Sequence, residues 1–314
     1  MAAMLSHHGL SISEPMVFGL AGALSFAYLP FLKFGNMPLV SYRMFPGHIV
    51  KKLPRRLGIK WRRKRYRNPE KAMAELADCV QRRQIAGLQT SAYFTPYFPP
   101  EMRFQFNAHN TIAIGRENGH YIISDPVFEQ VQRIAVDDLR QARFARGLSA
   151  PKGLMHYPVY IPEQVDLRGR VKKAVKKTVN MMLHAPFPHI GIKGMRYLAR
   201  DIEKLPARRD AVYIRHFLGN IVRMQEEIGT GGGGFRFIYA AFLQEAHQLT
   251  GNDAFCQASA AMTKVGDAWR RFAAQCAMMV KQRRGAPDDV ADIADMLRSC
   301  ADREQEVYRL LRGL

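Results

Sequence analysis

Strand patterning stops near residue 163. Upstream of it, short apolar runs bounded by Pro, Gly and Asn alternate with helical segments; downstream, apolar residues recur only at helical spacing. That asymmetry predicts two bodies: an α+β domain over residues 1–160 and an all-α bundle over 163–314. In the first body, Ser11-Ile12-Ser13-Glu14-Pro15 is a helix-start signature, with a hydroxyl cap, an acid in the first turn and a proline where no N–H is needed. The uncharged run Met16–Leu32 is then expected to be a buried helix. At seventeen residues, interrupted by Gly19, Gly22 and Pro30, it falls short of the roughly 20 apolar residues of a membrane span. It also lacks the basic segment and cleavage site of a secretory signal.

Strands are expected at Pro38–Arg43, Ile85–Phe94, His109–Gly115, Tyr121–Pro126 and Met155–Ile161, with helices at 69–83 and from Val136. Asn118-Gly119 joins the third and fourth strands as a hairpin. The second body reads as helices at 163–184, 191–203, 207–228, 235–250, 253–281 and 287–312. Breaks fall at Pro186/Pro188, Pro206, the glycine run 229–234, Gly251-Asn252 and Gly285-Ala286-Pro287.

Charge is distributed unevenly. Forty-seven Lys and Arg against 27 Asp and Glu leave a net charge of +20, and half of that excess lies in Lys51–Arg67, where ten of seventeen residues are basic and none is acidic. Lys51, Lys52, Arg55, Arg56, Arg62, Arg63, Lys64 and Arg65 are therefore the candidate contacts for an anionic partner; a solvated basic loop is the alternative. Trp61 and Tyr66 interleave the charges, but no reader motif accompanies them, so nucleic acid is not the expected partner. A membrane surface remains open as one; a membrane span is not expected. Four scattered cysteines, none in a C-x-x-C pair, exclude a disulfide framework and a zinc ribbon and suit a reducing, cytoplasmic setting. The histidines have no metal-ligand spacing with acids, and no metal site is expected.

The stretch most suited to chemistry is Phe104–Pro126. A histidine opening one hairpin strand and an aspartate closing the next can lie side by side, because antiparallel neighbours sit about 5 Å apart. His109 and Asp125 thus form a candidate pair in which a carboxylate orients an imidazole, the arrangement that activates a nucleophile in acyl transfer; a structural role for both is the alternative.

Several blocks in order resemble the butirosin-biosynthesis BtrH family. They are Ser13-Glu14-Pro15-Met16-Val17-Phe18-Gly19-Leu20 with Phe26-Ala27-Tyr28, then Gln89 with Tyr93 and Pro96-Tyr97-Phe98, then His109 with Gly115, and Ser124-Asp125-Pro126. The second half resembles that family's usual helical partner domain at Gly191-Ile192-Lys193-Gly194-Met195-Arg196, Gly231-Gly232-Gly233-Gly234-Phe235-Arg236 and Gly266-Asp267-Ala268-Trp269. The resemblance implies a papain-like N-terminal domain related to double-glycine leader peptidases. It implies acyl transfer from a phosphopantetheine thioester on an acidic acyl carrier protein to a small amine, with His109 as general base and Asp125 as its orienting acid. No bound cofactor is implied. It also implies a nucleophilic cysteine ahead of the first helix. The chain begins Met1-Ala2-Ala3-Met4-Leu5 and has no cysteine before Cys79, which sits at a core position of a helix. The expectation is accordingly a chain without that nucleophile, through a late start codon or as a catalytically dead paralogue.

Gly232 and Gly233, in the glycine run, are read either as part of a flexible link or as backbone donors to a substrate or pantetheine phosphate. Three functions follow in order: an acyl-thioester:amine acyltransferase, a cysteine peptidase or amidase on the same fold, and a catalytically dead basic binding protein for a carrier protein or membrane surface.

Overall fold

The computed structural model describes residues 1–45, 47–228, 231–283, 285 and 289–314. Part of the glycine run (Gly229, Thr230) and the Ala286-Pro287 break lie outside them. In chain order the elements are α1 (Ala2–His7), α2 (Glu14–Ala21), β1 (Leu24–Phe34), β2 (Met37–Arg43), α3 (His48–Leu57), β3 (Lys60–Lys64), α4 (Pro69–Gln81), β4 (Ala86–Thr90), β5 (His109–Glu117), β6 (His120–Ser124), β7 (Gln132–Ala135), α5 (Val136–Phe144) and β8 (Met155–Tyr160). Six long helices follow among the described residues: α6 (Arg168–His184), α7 (Gly191–Glu203), α8 (Ala211–Val222), α9 (Arg236–Thr250), α10 (Asp253–Val280) and α11 (Val290–Arg312). The chain is mixed α/β, with a sheet-bearing N-terminal region and a helical C-terminal part. Among the described residues no helix is long and apolar enough to cross a membrane.

Two compact units emerge: Met1–Ile12 with Val50–Val165, and Ser13–Ile49 with Asp166–Leu314. The first is built on an antiparallel sheet of strand order β3-β8-β4-β5-β6-β7. Asn68 caps α4 by accepting from the Lys71 N–H, and Pro69 occupies the first turn. The helix lays Ala72, Leu76 and Cys79 against Leu88, Ala113, Tyr121 and Ile123 of the sheet, and Leu139 of α5 joins this core. Arg143 is buried there and donates to the carbonyls of Ala72 and Gly153, both at 3.1 Å, which ties α5 to α4. Burial pulls its guanidinium down to about 10. On β8, the buried ring of His156 stacks on Trp61 and occupies the space where a Cβ of Gly87 would stand, 2.1 Å from its Cε1. Glycine at 87 is what lets strand and ring approach.

The second unit holds the six long helices together with α2 and the β1–β2 hairpin. Here the expectation of one helix across Met16–Leu32 is corrected. Ser13 does cap α2 by accepting from the Met16 N–H at 3.0 Å, but Gly22 takes the left-handed conformation (φ 61°) and ends the helix. The rest of the run becomes β1, which pairs antiparallel with β2 through a Gly35-Asn36 turn. An uncharged run satisfies a buried helix and a buried strand equally, so periodicity alone cannot separate them. The second unit is therefore not purely helical. The basic stretch, weighed as a loop, is instead α3 and the edge strand β3, with Leu53, Leu57 and Ile59 buried.

Candidate active site

The Asn118-Gly119 turn (φ 47° and 75°) fixes the β5–β6 register, pairing Ile112 with Ser124 and leaving Asp125 at the end of β6. Thr90 pairs with His109 on the other side. The two candidate residues are thereby brought together: His109 Nε2 lies 2.6 Å from Asp125 Oδ2, with 11 % and 0 % of the side chains exposed. Asp125 is held from three directions. Its Oδ2 also accepts from the Tyr97 hydroxyl at 2.9 Å, and its Oδ1 accepts from the Val127 N–H at 3.0 Å. Burial first, then the neighbouring carboxylate, pushes the Tyr97 phenol far up, so Tyr97 serves as a neutral donor. Phe98 packs edge-on against the His109 ring at 5.2 Å, and Phe128 closes over both Phe98 and Tyr97.

This geometry dictates the tautomer. A carboxylate accepts only, so Nε2 carries the proton and Nδ1 presents its lone pair. Among the described residues Nδ1 has no hydrogen-bond partner.

A cavity of about 470 Å³ opens at the same end of the sheet. Ser91 follows Thr90 into its wall and Asn107 reaches it two residues before His109; Tyr93, Phe94, Gln105 and Arg146 also line it. That volume suits a small organic ligand. Asn107 itself is structural: its amide donates to the carbonyls of Arg146 and Leu148, while Gln89 donates to the Asn107 carbonyl at 2.8 Å.

Cys79 does not join the pair. Burial raises its thiol, which donates to the Gln84 carbonyl just before β4. His109 pairs at the other end of that strand, four residues and about 13 Å beyond Ala86. Among the described residues no group of three or more His, Cys, Asp or Glu side chains could hold a metal ion.

The basic residues divide. Lys51, Lys52 and Arg55 are exposed on α3, and Arg56 is half-buried. Arg62 and Lys64 pair with Glu75 of α4 at 3.6 and 2.6 Å, while Arg63 and Arg65 stay exposed. In the second unit, Gly233 donates its N–H to Glu226 Oε1 at 3.0 Å, so that amide is already taken by a carboxylate. A Cβ on Gly233 would stand 2.7 Å from the Phe237 ring, and one on Gly234 2.6 Å from Tyr42. Close packing requires these glycines.

Tyr97 is the site residue that sequence reasoning left without a role. Its block is legible as a motif, but its bond to Asp125 spans 28 residues and no local pattern announces it.

Comparison with curated proteins returned no match. Family models match most of the chain: one for butirosin biosynthesis protein H, N-terminal, over residues 1–126, and one for a domain of unknown function, DUF4872, over residues 137–311. The first match carries α1, the basic stretch and the whole His109–Asp125 hairpin, so the chain belongs to the butirosin biosynthesis protein H family, its second region being a DUF4872 domain.

Proposed function

We propose that the sheet-bearing unit is papain-like and catalyses acyl transfer from a thioester to an amine, with His109 as the proton acceptor. The observation that carries this reading is the short His109–Asp125 contact with Nδ1 left unpaired; the cavity is lined by Asn107, two residues before His109, and not by His109 or Asp125 themselves. In the step, the amine nitrogen bonds to the thioester carbonyl carbon and gives up a proton to Nδ1. The imidazolium is held against Asp125. The C–S bond then breaks, and the imidazolium returns the proton to the departing thiolate, leaving an amide and a thiol. A positioned base of this kind contributes about 10²- to 10⁴-fold.

The donor in this proposal is a phosphopantetheine thioester on an acidic carrier protein, and the acceptor a small amine sized to the cavity. Lys51, Lys52, Arg55, Arg63 and Arg65 are the exposed cations that would meet the carrier protein, a contact that weakens as salt screens it.

The test is aminolysis of a carrier-bound acyl thioester, followed by mass spectrometry of the amide. The expected result is turnover that survives both Cys79→Ala and prior alkylation with iodoacetamide, since no cysteine is required beside Nδ1. Loss of turnover on alkylation would place a thiolate in the route. Absence of aminolysis above the uncatalysed rate would overturn the proposal in favour of a binding role.

A further inference from the structure

Helix α6 carries a second basic surface, different in kind from the first. Its apolar stripe, Val171, Ala174, Val175, Val179 and Met182, is buried. The opposite face presents Arg168, Lys172 and Lys176 in one row and Lys173 and Lys177 in the next, all exposed. The two rows run about 14 Å along the helix. No acid interrupts α6. The ion pairs of this unit join other residues. Among the described residues, none involves these five cations. The basic stretch before α4 differs, because there Glu75 neutralises part of the charge.

Beyond the end of α6 the chain turns through Phe187, which is 62 % exposed, and the Phe187 carbonyl accepts from the Ile190 N–H. Phe31, 73 % exposed on β1, stacks edge-on against His189 in the same turn at 5.6 Å. Lys193 reaches back to the Ala185 carbonyl at the helix end, and Lys33 is exposed two residues beyond Phe31. Two aromatic side chains therefore project from one cationic corner. Uncompensated lysines call for an anionic partner, and exposed aromatics just beyond the end of the same helix call for one with an apolar layer beneath its charges.

We propose that α6 and the Phe31–Phe187 corner form a docking surface for an anionic lipid bilayer. The lysines meet headgroup phosphates, and the two phenylalanines rest at the headgroup–acyl boundary. This goes beyond the acyl-transfer reading and does not depend on it.

The experiment is cosedimentation of the full chain with phosphatidylcholine vesicles containing about 30 % phosphatidylglycerol, at low and high salt. Each surface cation contributes roughly fivefold, so replacing Lys172, Lys173, Lys176 and Lys177 by Gln is expected to weaken binding by at least about 100-fold. Phe31→Ala with Phe187→Ala is expected to remove the part of binding that survives high salt. A matched removal of four cations elsewhere, Lys51, Arg55, Arg63 and Arg65 to Gln, is expected to retain most of the binding. Circular dichroism melts check that each variant is folded, as exposed substitutions permit. The proposal is overturned if the α6 variant sediments like the wild type, if the matched control loses as much, or if pure phosphatidylcholine vesicles bind equally. It is also overturned if the α6 lysines bind a DNA duplex or an acidic protein while vesicles stay unbound.

Discussion

Glu304→Leu is expected to unfold the helical unit at room temperature. Arg236 and Glu304 are both fully buried, with Nη2 2.8 Å from Oε1 and Nε 3.1 Å from Oε2. The same carboxylate accepts from Trp269 Nε1 at 3.0 Å and from the Tyr308 hydroxyl at 2.6 Å. Burial, then Glu304 itself, pushes the Tyr308 phenol well up, so it stays a donor. Arg236 completes its set by donating to the Gly234 carbonyl at 2.6 Å. Removing the carboxylate strands a buried guanidinium, at about 3–5 kcal/mol. It also orphans two further donors, at about 1–3 kcal/mol each. Total stability is typically only about 5–15 kcal/mol. Urea denaturation followed by far-ultraviolet circular dichroism measures the loss. The double replacement Arg236→Met with Glu304→Leu is expected to be markedly milder, because no charge is left unpaired. A single variant within about 1 kcal/mol of wild type would show that the cluster contributes little.

His109→Ala is expected to lower kcat/KM for thioester aminolysis about a thousandfold, with the fold retained. Asp125 keeps its bonds from Tyr97 and Val127 in that variant, so the loop beyond β6 stays in place. Tyr97→Phe, which removes one of three donors to Asp125, is expected to cost far less, because the His109–Asp125 contact survives. Steady-state rates of the two variants separate a base from a merely packed histidine. Equal, small losses in both would assign His109 to packing.

The hairpin that carries this pair was legible because the determinants are local. Asn118-Gly119 demands a turn with positive φ, the turn fixes the register, and the register delivers Asp125 to His109. The helices from α6 to α11 were legible for the same reason: caps, glycines and prolines mark their ends. Chain return was not legible. Residues 13–49 sit with the helices because α2 and the β1–β2 hairpin pack there, and no local pattern encodes which body a segment joins. The basic stretch hid its structure behind its charges, since its buried side rests on Leu53, Pro54, Leu57, Ile59 and Tyr66, which are sparse among the cations. Arg236 and Glu304, 68 residues apart, read as surface charges until each is seen as the other's partner.

The central claim is that Asp125 holds His109 with its proton on Nε2 and its lone pair on Nδ1. Nitrogen-15 NMR of the His109 imidazole at a pH where the ring is neutral measures this directly, in the wild type and in Asp125→Asn. The account predicts the Nε2–H tautomer in the wild type. In Asp125→Asn, whose side-chain amide can donate to Nε2, it predicts a shift toward Nδ1–H, with transfer activity falling alongside. A wild-type ring protonated on Nδ1, or a tautomer indifferent to Asp125→Asn, would contradict it.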